Sequence, residues 1–553
     1  MSAVQQRTGW IFALFLGLLV IAAARTAYLG VIRSGALRKA ASTQQVTDEK
    51  VSSPRGTITD RNGVQLAVSE PARDIAADPY LLDDPLSAAR RLAPLLGQSE
   101  ADVLRKLTER SGFVYLARAL PGDRATRVMA LKLPGVSGTP VMRRVYPRGQ
   151  LASQVLGLVG TEGHGLNGLE YSRNTQLAGH AGDRRTVSDA IGQPVSITES
   201  SPEVSGEPLE LTLDANIQQR SEDVLSAVAR VFQPKDATAI VMDPRSGALL
   251  AVANWPQVNP NDVAAAPAGA LSDRAVSFDY EPGSTFKAVT VAGALQEHLV
   301  TPESGFNIPA QIQVADRTIH DDTEHAEETL STAQILARSS NVGAIKIGML
   351  EGSSRFNSWV HRFGFGARTG VDLPSEERGL TLPLSHYSGS SMGNLPIGQG
   401  ELVTPMQMAS AYAAIANGGV LRPPHIVERV GDKAQPDPAG RRVISPSTAA
   451  SLREMLEGVL KAGGTASEVS IPGYALAGKT GTASKIDPAT GEYSKSAYVA
   501  SFIGFVPAAH PKLLCAVVVD EPQTGSIFGG EVAAPAFGQI MSFALSYMGI
   551  PPE

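Results

Sequence analysis

The first long feature along the chain is an uncharged apolar run, Gly9 to Ala24. As a helix those residues rise only about 24 Å, short of a hydrocarbon core of about 30 Å. Continued through Arg25 to Ile32 the run reaches about 36 Å, enough to cross if Arg25 snorkels or meets a partner. The apolar pattern continues past the small residues Ala22-Ala23-Ala24, which favours an uncleaved anchor at 9–32 over a cleaved leader. A short tail, 1–8, precedes the anchor, and 33–50 reads as a polar stalk. Asn62-Gly63 between β-type runs then predicts a hairpin. Helical-period stretches follow at 87–96, 101–107 and 125–133, and 133–205 is rich in Gly, Arg and turn residues. Residues 51–205 therefore read as an irregular α+β region with no catalytic cluster.

From 206 the pattern changes. Ala237–Met242 and Ala248–Ala253 read as strands joined by the turn Asp243-Pro244-Arg245-Ser246-Gly247. Late strands are predicted at 474–482, 498–506 and 513–520, and 284–465 is mainly helical. Strands at both ends with helices between predict one sheet built from the extremities of 206–549, with a helical subdomain inserted. The expected class is α+β multidomain.

Composition narrows this picture. A hydrophobic content of 43% suits a folded chain rather than a disordered one. The net charge of −6 argues against a nucleic-acid partner, since phosphate contacts need a basic face. The single cysteine, Cys515, rules out an intrachain disulfide and a cysteine metal cluster; within Leu513–Val519 it reads as a core residue. Charge around the anchor does not orient it. Only Arg7 precedes the span, while Arg25 lies within its later part and Arg33, Arg38 and Lys39 follow.

Three short elements carry candidate chemistry. In Glu281-Pro282-Gly283-Ser284-Thr285-Phe286-Lys287 the Pro-Gly turn puts Ser284 at the start of a predicted helix, 285–298. Phe286, Val289, Ala292 and Leu295 share one face of it, and Lys287 lies one turn on, beside Ser284. The helix N-terminus favours negative charge developing on the serine oxygen. A serine nucleophile needs an adjacent base, and Lys287 serves if burial leaves its amine neutral. Alone the pattern is weak, because about one or two Ser-x-x-Lys arise by chance in a chain of this length. Ser339-Ser340-Asn341 sits between two helical runs, where a hydroxyl can relay a proton and an amide can orient the lysine. Ser172-Arg173-Asn174 has the same pattern, out of place and order. In Ala477-Gly478-Lys479-Thr480-Gly481-Thr482-Ala483, Gly481 lets a substrate backbone lie along a strand. Lys479 and Thr480 suit a carboxylate, and the N–H groups of Ser284 and Thr482 suit an oxyanion hole. His320, Asp321, Asp322, His325 and Glu328 have metal-ligand chemistry, but acids beside a helix start are more often dipole partners, and no metal is expected.

Each element occurs once in the required order, and together they resemble the penicillin-binding proteins and serine β-lactamases. Arg55-Gly56-Thr57-Ile58-Thr59-Asp60-Arg61-Asn62-Gly63, Tyr146-Pro147 and Gly168-Leu169-Glu170-Tyr171 resemble the pedestal motifs of class B penicillin-binding proteins. Gly398-Gln399-Gly400, Thr404-Pro405 and Asn417-Gly418-Gly419 resemble that family's transpeptidase domain. Glu281-Pro282-Gly283-Ser284 and Ser339-Ser340-Asn341-Val342-Gly343 look more like the division-specific FtsI type than the elongation type. The resemblance implies a membrane anchor, a pedestal (dimerisation-type) domain at 51–205, and a transpeptidase domain at 206–549 on the extracytoplasmic, periplasmic face. It implies a peptidoglycan D,D-transpeptidase acting in septal wall synthesis, with no cofactor. Ser284 would be acylated by D-Ala-D-Ala of a stem peptide, and by β-lactams. Lys287 would be the base, Ser339 the relay and Asn341 an orienter. Lys479, Thr480 and Gly481 would hold the substrate, and Ser284 and Thr482 the oxyanion. Expected partners are a polytopic SEDS glycosyltransferase of the FtsW type and other division proteins. The alternatives are an elongation-specific transpeptidase, or an anchored penicillin sensor or scaffold with a slow acylating site.

Overall fold

The computed structural model describes residues 3–35, 46–188, 194–487 and 489–552. The N-terminal helix Ala3–Ala27 continues into one π-helical stretch, Tyr28–Ile32. Its apolar span, Arg7–Ile32, is 26 residues long with a mean hydropathy of 2.0. Trp10, Phe12, Phe15 and Leu19 are all exposed on it. A helix apolar on every side requires lipid or protein cover. Of the expected tail and stalk, residues 1, 2 and 36–45 lie outside the described residues.

The chain forms two compact units. The first is Met1–Pro54, Pro71–Met142 and Gly179–Ser205. Within it, helices Pro85–Leu96 and Glu100–Leu107 bury Leu92, Leu96, Val103 and Leu107 against Ile75, Leu116 and Leu120. Ile75 and Leu116 come from an antiparallel pair in which Ala77 faces Val114. Strands Val46–Val51, Gly182–Ser188 and Pro194–Ser201 make a separate three-stranded sheet.

The second unit is Arg55–Glu70, Arg143–Ala178 and Gly206–Glu553. Two pieces of the 51–205 region, Arg55–Glu70 and Arg143–Ala178, pack within this unit, and buried charge is one physical reason. Glu170, with no exposed surface, accepts from Arg55 at 2.7 Å and Arg144 at 2.6 Å. Asp60, equally buried, accepts from Asn62 N and Val64 N of the hairpin and from Ala215 N, each at 2.8–2.9 Å. Breaking such buried pairs is costly, so both pieces are fixed to the larger unit.

That unit is built on α1 (Ala215–Phe232), β1 (Asp236–Met242) and β2 (Leu249–Trp255). The helices of the insertion then follow: α2 (Lys287–Gln296), α3 (Thr332–Arg338), α4 (Asn341–Glu351), α5 (Pro405–Ala416) and α6 (Pro446–Glu457). The chain closes with β3 (Ala477–Ile486), β4 (Tyr493–Val506), β5 (Leu513–Asp520) and α7 (Ala534–Tyr547). The five strands form one antiparallel sheet ordered β2-β1-β5-β4-β3, as the two-ended pattern predicts. Along β5, Leu513, Cys515, Val517 and Val519 face one core with α1 and α7. Leu514, Ala516 and Val518 face the other core with α5 and α2. Both faces are covered, so this antiparallel strand is apolar throughout instead of alternating. Cys515 has no exposed surface, and burial pushes its thiol well above the usual range, in keeping with a core residue.

The structure alters two expectations at the first motif. Ser284 lies in a 3-10 turn, Gly283–Phe286, and the α-helix begins only at Lys287. Helix α2 is also not amphipathic: every residue from Lys287 to Leu295 is buried. It runs through the interior, with α4, α6 and the helix Ser353–Arg362 packed around it.

Phe537 on α7 and Phe502 on β4 pack with ring centroids 4.8 Å apart, and neither has exposed surface. Phe537→Ala is expected to cost about 3–5 kcal/mol. A lower urea midpoint at unchanged slope checks this.

Candidate active site

The nucleophile turn is held from three sides. Gly283 N donates to Gly398 O at 3.0 Å, and Gly400 N to the Glu281 carboxylate at 2.9 Å. Tyr412 on α5 donates from its hydroxyl to Thr285 O at 2.7 Å, and Thr285 donates its own hydroxyl to Pro282 O. Tyr493 also donates to Glu281, at 3.2 Å, and burial raises the pKa of that carboxyl. Ser284 is half-buried and opens on a cleft of about 490 Å³.

Lys287 is fully buried. Its Nζ donates to Ser339 O at 2.5 Å, Ser339 Oγ at 3.2 Å and Asn341 Oδ1 at 2.6 Å. These acceptors come from the junction of α3 and α4, where Ser339 adopts a left-handed conformation with φ +63°. The left-handed residue ends α3 and turns the chain so that Asn341 can begin α4. Ser340 is the N-cap of α4, accepting from Gly343 N at 2.9 Å. Desolvation lowers the Lys287 pKa to about 8, opposed by the negative charges of Asp322 and Asp321. The expected pairing of Lys287 with Ser339 and Asn341 is therefore present.

The third motif lies on β3, the edge strand of the sheet. Lys479 is fully buried and donates to Thr480 O and Thr480 Oγ1 at 3.2 and 3.3 Å. Desolvation first, and then the charge of Lys287, push its pKa well down. Thr480 exchanges a hydrogen bond with Thr465 at 2.7 Å. Gly481 is required by crowding rather than by an open groove alone. A Cβ there would lie 2.4 Å from Ser501 Oγ, 2.9 Å from Thr285 Cγ2 and 3.1 Å from Pro282 O. The missing side chain lets β3 lie directly on the Ser284 turn. Ser284, Ser339, Thr480 and Thr482 line the same cleft, so the three motifs are brought together.

Two supports were not anticipated from sequence. Gly529 N donates to Thr482 Oγ1 at 3.1 Å, and a Cβ on Gly529 would lie 2.3 Å from Gly481 O. The other is the wall at 463–465, which supplies Thr465. The pairs Gly463-Gly464 and Gly529-Gly530 were the available signals of close backbone approach. Of the residues weighed as metal ligands, Asp321 holds the start of α4. Asp321 accepts from Val342 N at 2.8 Å and Ser340 Oγ at 2.7 Å. Among the described residues no group of three or more His, Cys, Asp or Glu is placed to hold a metal ion.

Residues 237–542 match the family model of the penicillin binding protein transpeptidase domain, and 50–211 that of the penicillin-binding protein dimerisation domain. The chain is 34% identical to the penicillin-binding protein PbpB of Mycolicibacterium smegmatis over 581 residues, covering 97% of this chain and 89% of that one. It is 34% identical to the peptidoglycan D,D-transpeptidase FtsI of Escherichia coli strain K12 over 558 residues, covering 98% and 93%. The crystal structure of penicillin binding protein 3 from Mycobacterium tuberculosis, complexed with aztreonam, superposes with a TM-score of 0.71. Sequence identity there is 29%, with coverage of 91% of this chain and 98% of that one.

Crowding at Gly481 gives a direct test. Gly481→Ala is expected to cost about 1–3 kcal/mol as an overpacked contact. Gly305→Ala, whose Cβ meets nothing nearer than Thr329 Cγ2 at 3.5 Å, should leave the denaturation midpoint unchanged.

Proposed function

The chain belongs to the penicillin-binding protein transpeptidases, and from that premise we propose Ser284 as the residue acylated in peptidoglycan cross-linking, with septal synthesis as its setting. The observation that carries the site assignment is the buried Lys287 amine, one turn after Ser284 and bonded to both Ser339 and Asn341. The neutral amine takes the Ser284 proton, directly or through Ser339, as Oγ attacks the penultimate D-Ala carbonyl. The N–H groups of Ser284 and Thr482 stabilise the oxyanion. As the intermediate collapses, the C–N bond breaks and terminal D-Ala leaves with the proton returned from the base. The acceptor amine then attacks the ester carbonyl and gives its proton to the same base; as the acyl C–O bond breaks, the base returns that proton to Ser284 Oγ, and the new amide leaves. Lys479 and Thr480 hold the terminal carboxylate, and Gly481 leaves room for the donor backbone along the free side of β3. β-Lactams acylate the same serine. Asn341 orients Lys287.

Among the described residues one helix, Arg7–Ile32, is long and apolar enough to cross a membrane, and it serves as the anchor. The substrate of this family lies outside the cytoplasm, which supports an extracytoplasmic body where charge counting gives no direction. Arg25 within the span suits packing against another membrane protein, and a glycosyltransferase of the FtsW type is the partner we infer.

Ser284→Ala should abolish labelling by a fluorescent penicillin; a folded variant that still labels would overturn the nucleophile. The pH dependence has a definite sign. The base works only when neutral, and its pKa is depressed to about 8. Acylation measured by stopped flow should therefore rise about tenfold per pH unit below pH 8 and level off above it.

A further inference from the structure

Asn341 is useful to Lys287 only if its amide presents oxygen, and the structure fixes that choice. Both hydrogens of Asn341 Nδ2 are taken, by His320 O at 3.1 Å and by Asp322 Oδ1 at 3.2 Å. An amide whose nitrogen is so engaged can only turn Oδ1 toward the lysine, where it lies 2.6 Å from Nζ. The same loop is locked to α4 on either side of Asn341. Asp321 takes the Ser340 hydroxyl and the Val342 N–H, and its Oδ2 lies 3.1 Å from His325 Nε2. Asp321 is thus spent on the helix end, while Asp322 stands at the cleft. Two fully buried lysines, Lys287 and Lys479, have no carboxylate bonded to either among the described residues.

We propose that Asp322 is a positioning residue of the reaction: it holds the Asn341 amide toward Lys287 and supplies the counter-charge shared by Lys287 and Lys479. This rests on the reading of Lys287 as the base. The other charged groups lining the cleft are Asp321, His325, Glu328, Arg338 and Glu531. Glu328 is paired with Arg338 at 2.9 Å, and Asp322 is the carboxylate here that is bonded to Asn341, whose Oδ1 accepts from Lys287. Its negative charge favours the protonated form of both lysines. Removing that charge while keeping an acceptor must therefore make the Lys287 amine neutral at lower pH. Removing the acceptor as well frees the amide to rotate.

The test is the pH profile of acylation by a fluorescent penicillin, using the full-length protein in detergent. Asp322→Asn should move the midpoint to lower pH with the plateau largely kept. Asp322→Ala should lower the plateau about fivefold or more, the loss of one hydrogen bond of about 1 kcal/mol. Asp322→Glu should restore the midpoint toward that of the wild type. A thermal melt on each variant separates these effects from misfolding. A profile for Asp322→Asn coincident with the wild type, together with an unchanged plateau for Asp322→Ala, would falsify the proposal. Loss of labelling in Ser284→Ala alongside that result would leave the transpeptidase reading standing. Persistent labelling of Ser284→Ala would remove the reading itself.

Discussion

The rest of this catalytic unit depends on one fully buried amine. Lys287 has no exposed surface, and an unpaired ammonium in such a place would neutralise or unfold its surroundings. Its three acceptors come from residues 52 and 54 positions further along the chain. To supply them, the junction of α3 and α4 must lie against the first turn of α2. Ser339 must then turn left-handed, Ser340 must cap α4, and the loop at 320–322 must hold that end of the helix. The helical insertion is thus organised around a polar requirement, with the apolar packing of α2 closing over it.

A second constraint is distance. The nucleophile turn and the edge strand come from residues nearly two hundred positions apart, and they meet backbone to backbone. Gly481 removes a side chain on the strand side, and Gly529 does so where the following loop crosses. Gly398, at φ +77°, allows the third contact, since a Cβ there would lie 2.2 Å from Gly283 O. A cleft made this way is rigid because backbone cannot yield as side chains do. That rigidity suits a reaction whose oxyanion donors must already be in place.

The sheet and the three motifs were legible in the sequence because their signals are local. The apolar run Leu513–Val519 is continuous because both faces are covered, and Asn62-Gly63 marks its hairpin unaided. The order of Ser284, Ser339 and Lys479 carries more information than any one of them. Less legible was whatever arises from contacts between distant segments. The stripe Phe286-Val289-Ala292-Leu295 marked one face of the helix, and no sequence signal told that all its faces from Lys287 to Leu295 would be buried. The ties of Asp60 to Ala215 and of Arg55 to Glu170 decide where the compact units divide, yet their partners are more than a hundred residues apart. Asp321 and Asp322 drew notice for their chemistry, and only their placement at the start of α4 distinguishes a cap from a ligand set.

The two buried lysines differ in what surrounds them, and that difference suits two tasks. Lys287 meets three oxygen acceptors, whereas Lys479 meets only the carbonyl and hydroxyl of its neighbour Thr480. Each ammonium disfavours the other, so one proton is more easily kept than two. A carboxylate arriving at Lys479 would favour the charge there. Repulsion from that fixed charge then opposes protonation of Lys287, while the carboxylate, held at the far lysine, acts on Lys287 less strongly than on its own partner. In the proposed reading, donor binding therefore helps to decide which lysine carries the proton, and it favours the state in which the amine beside Ser284 is free to act as the base.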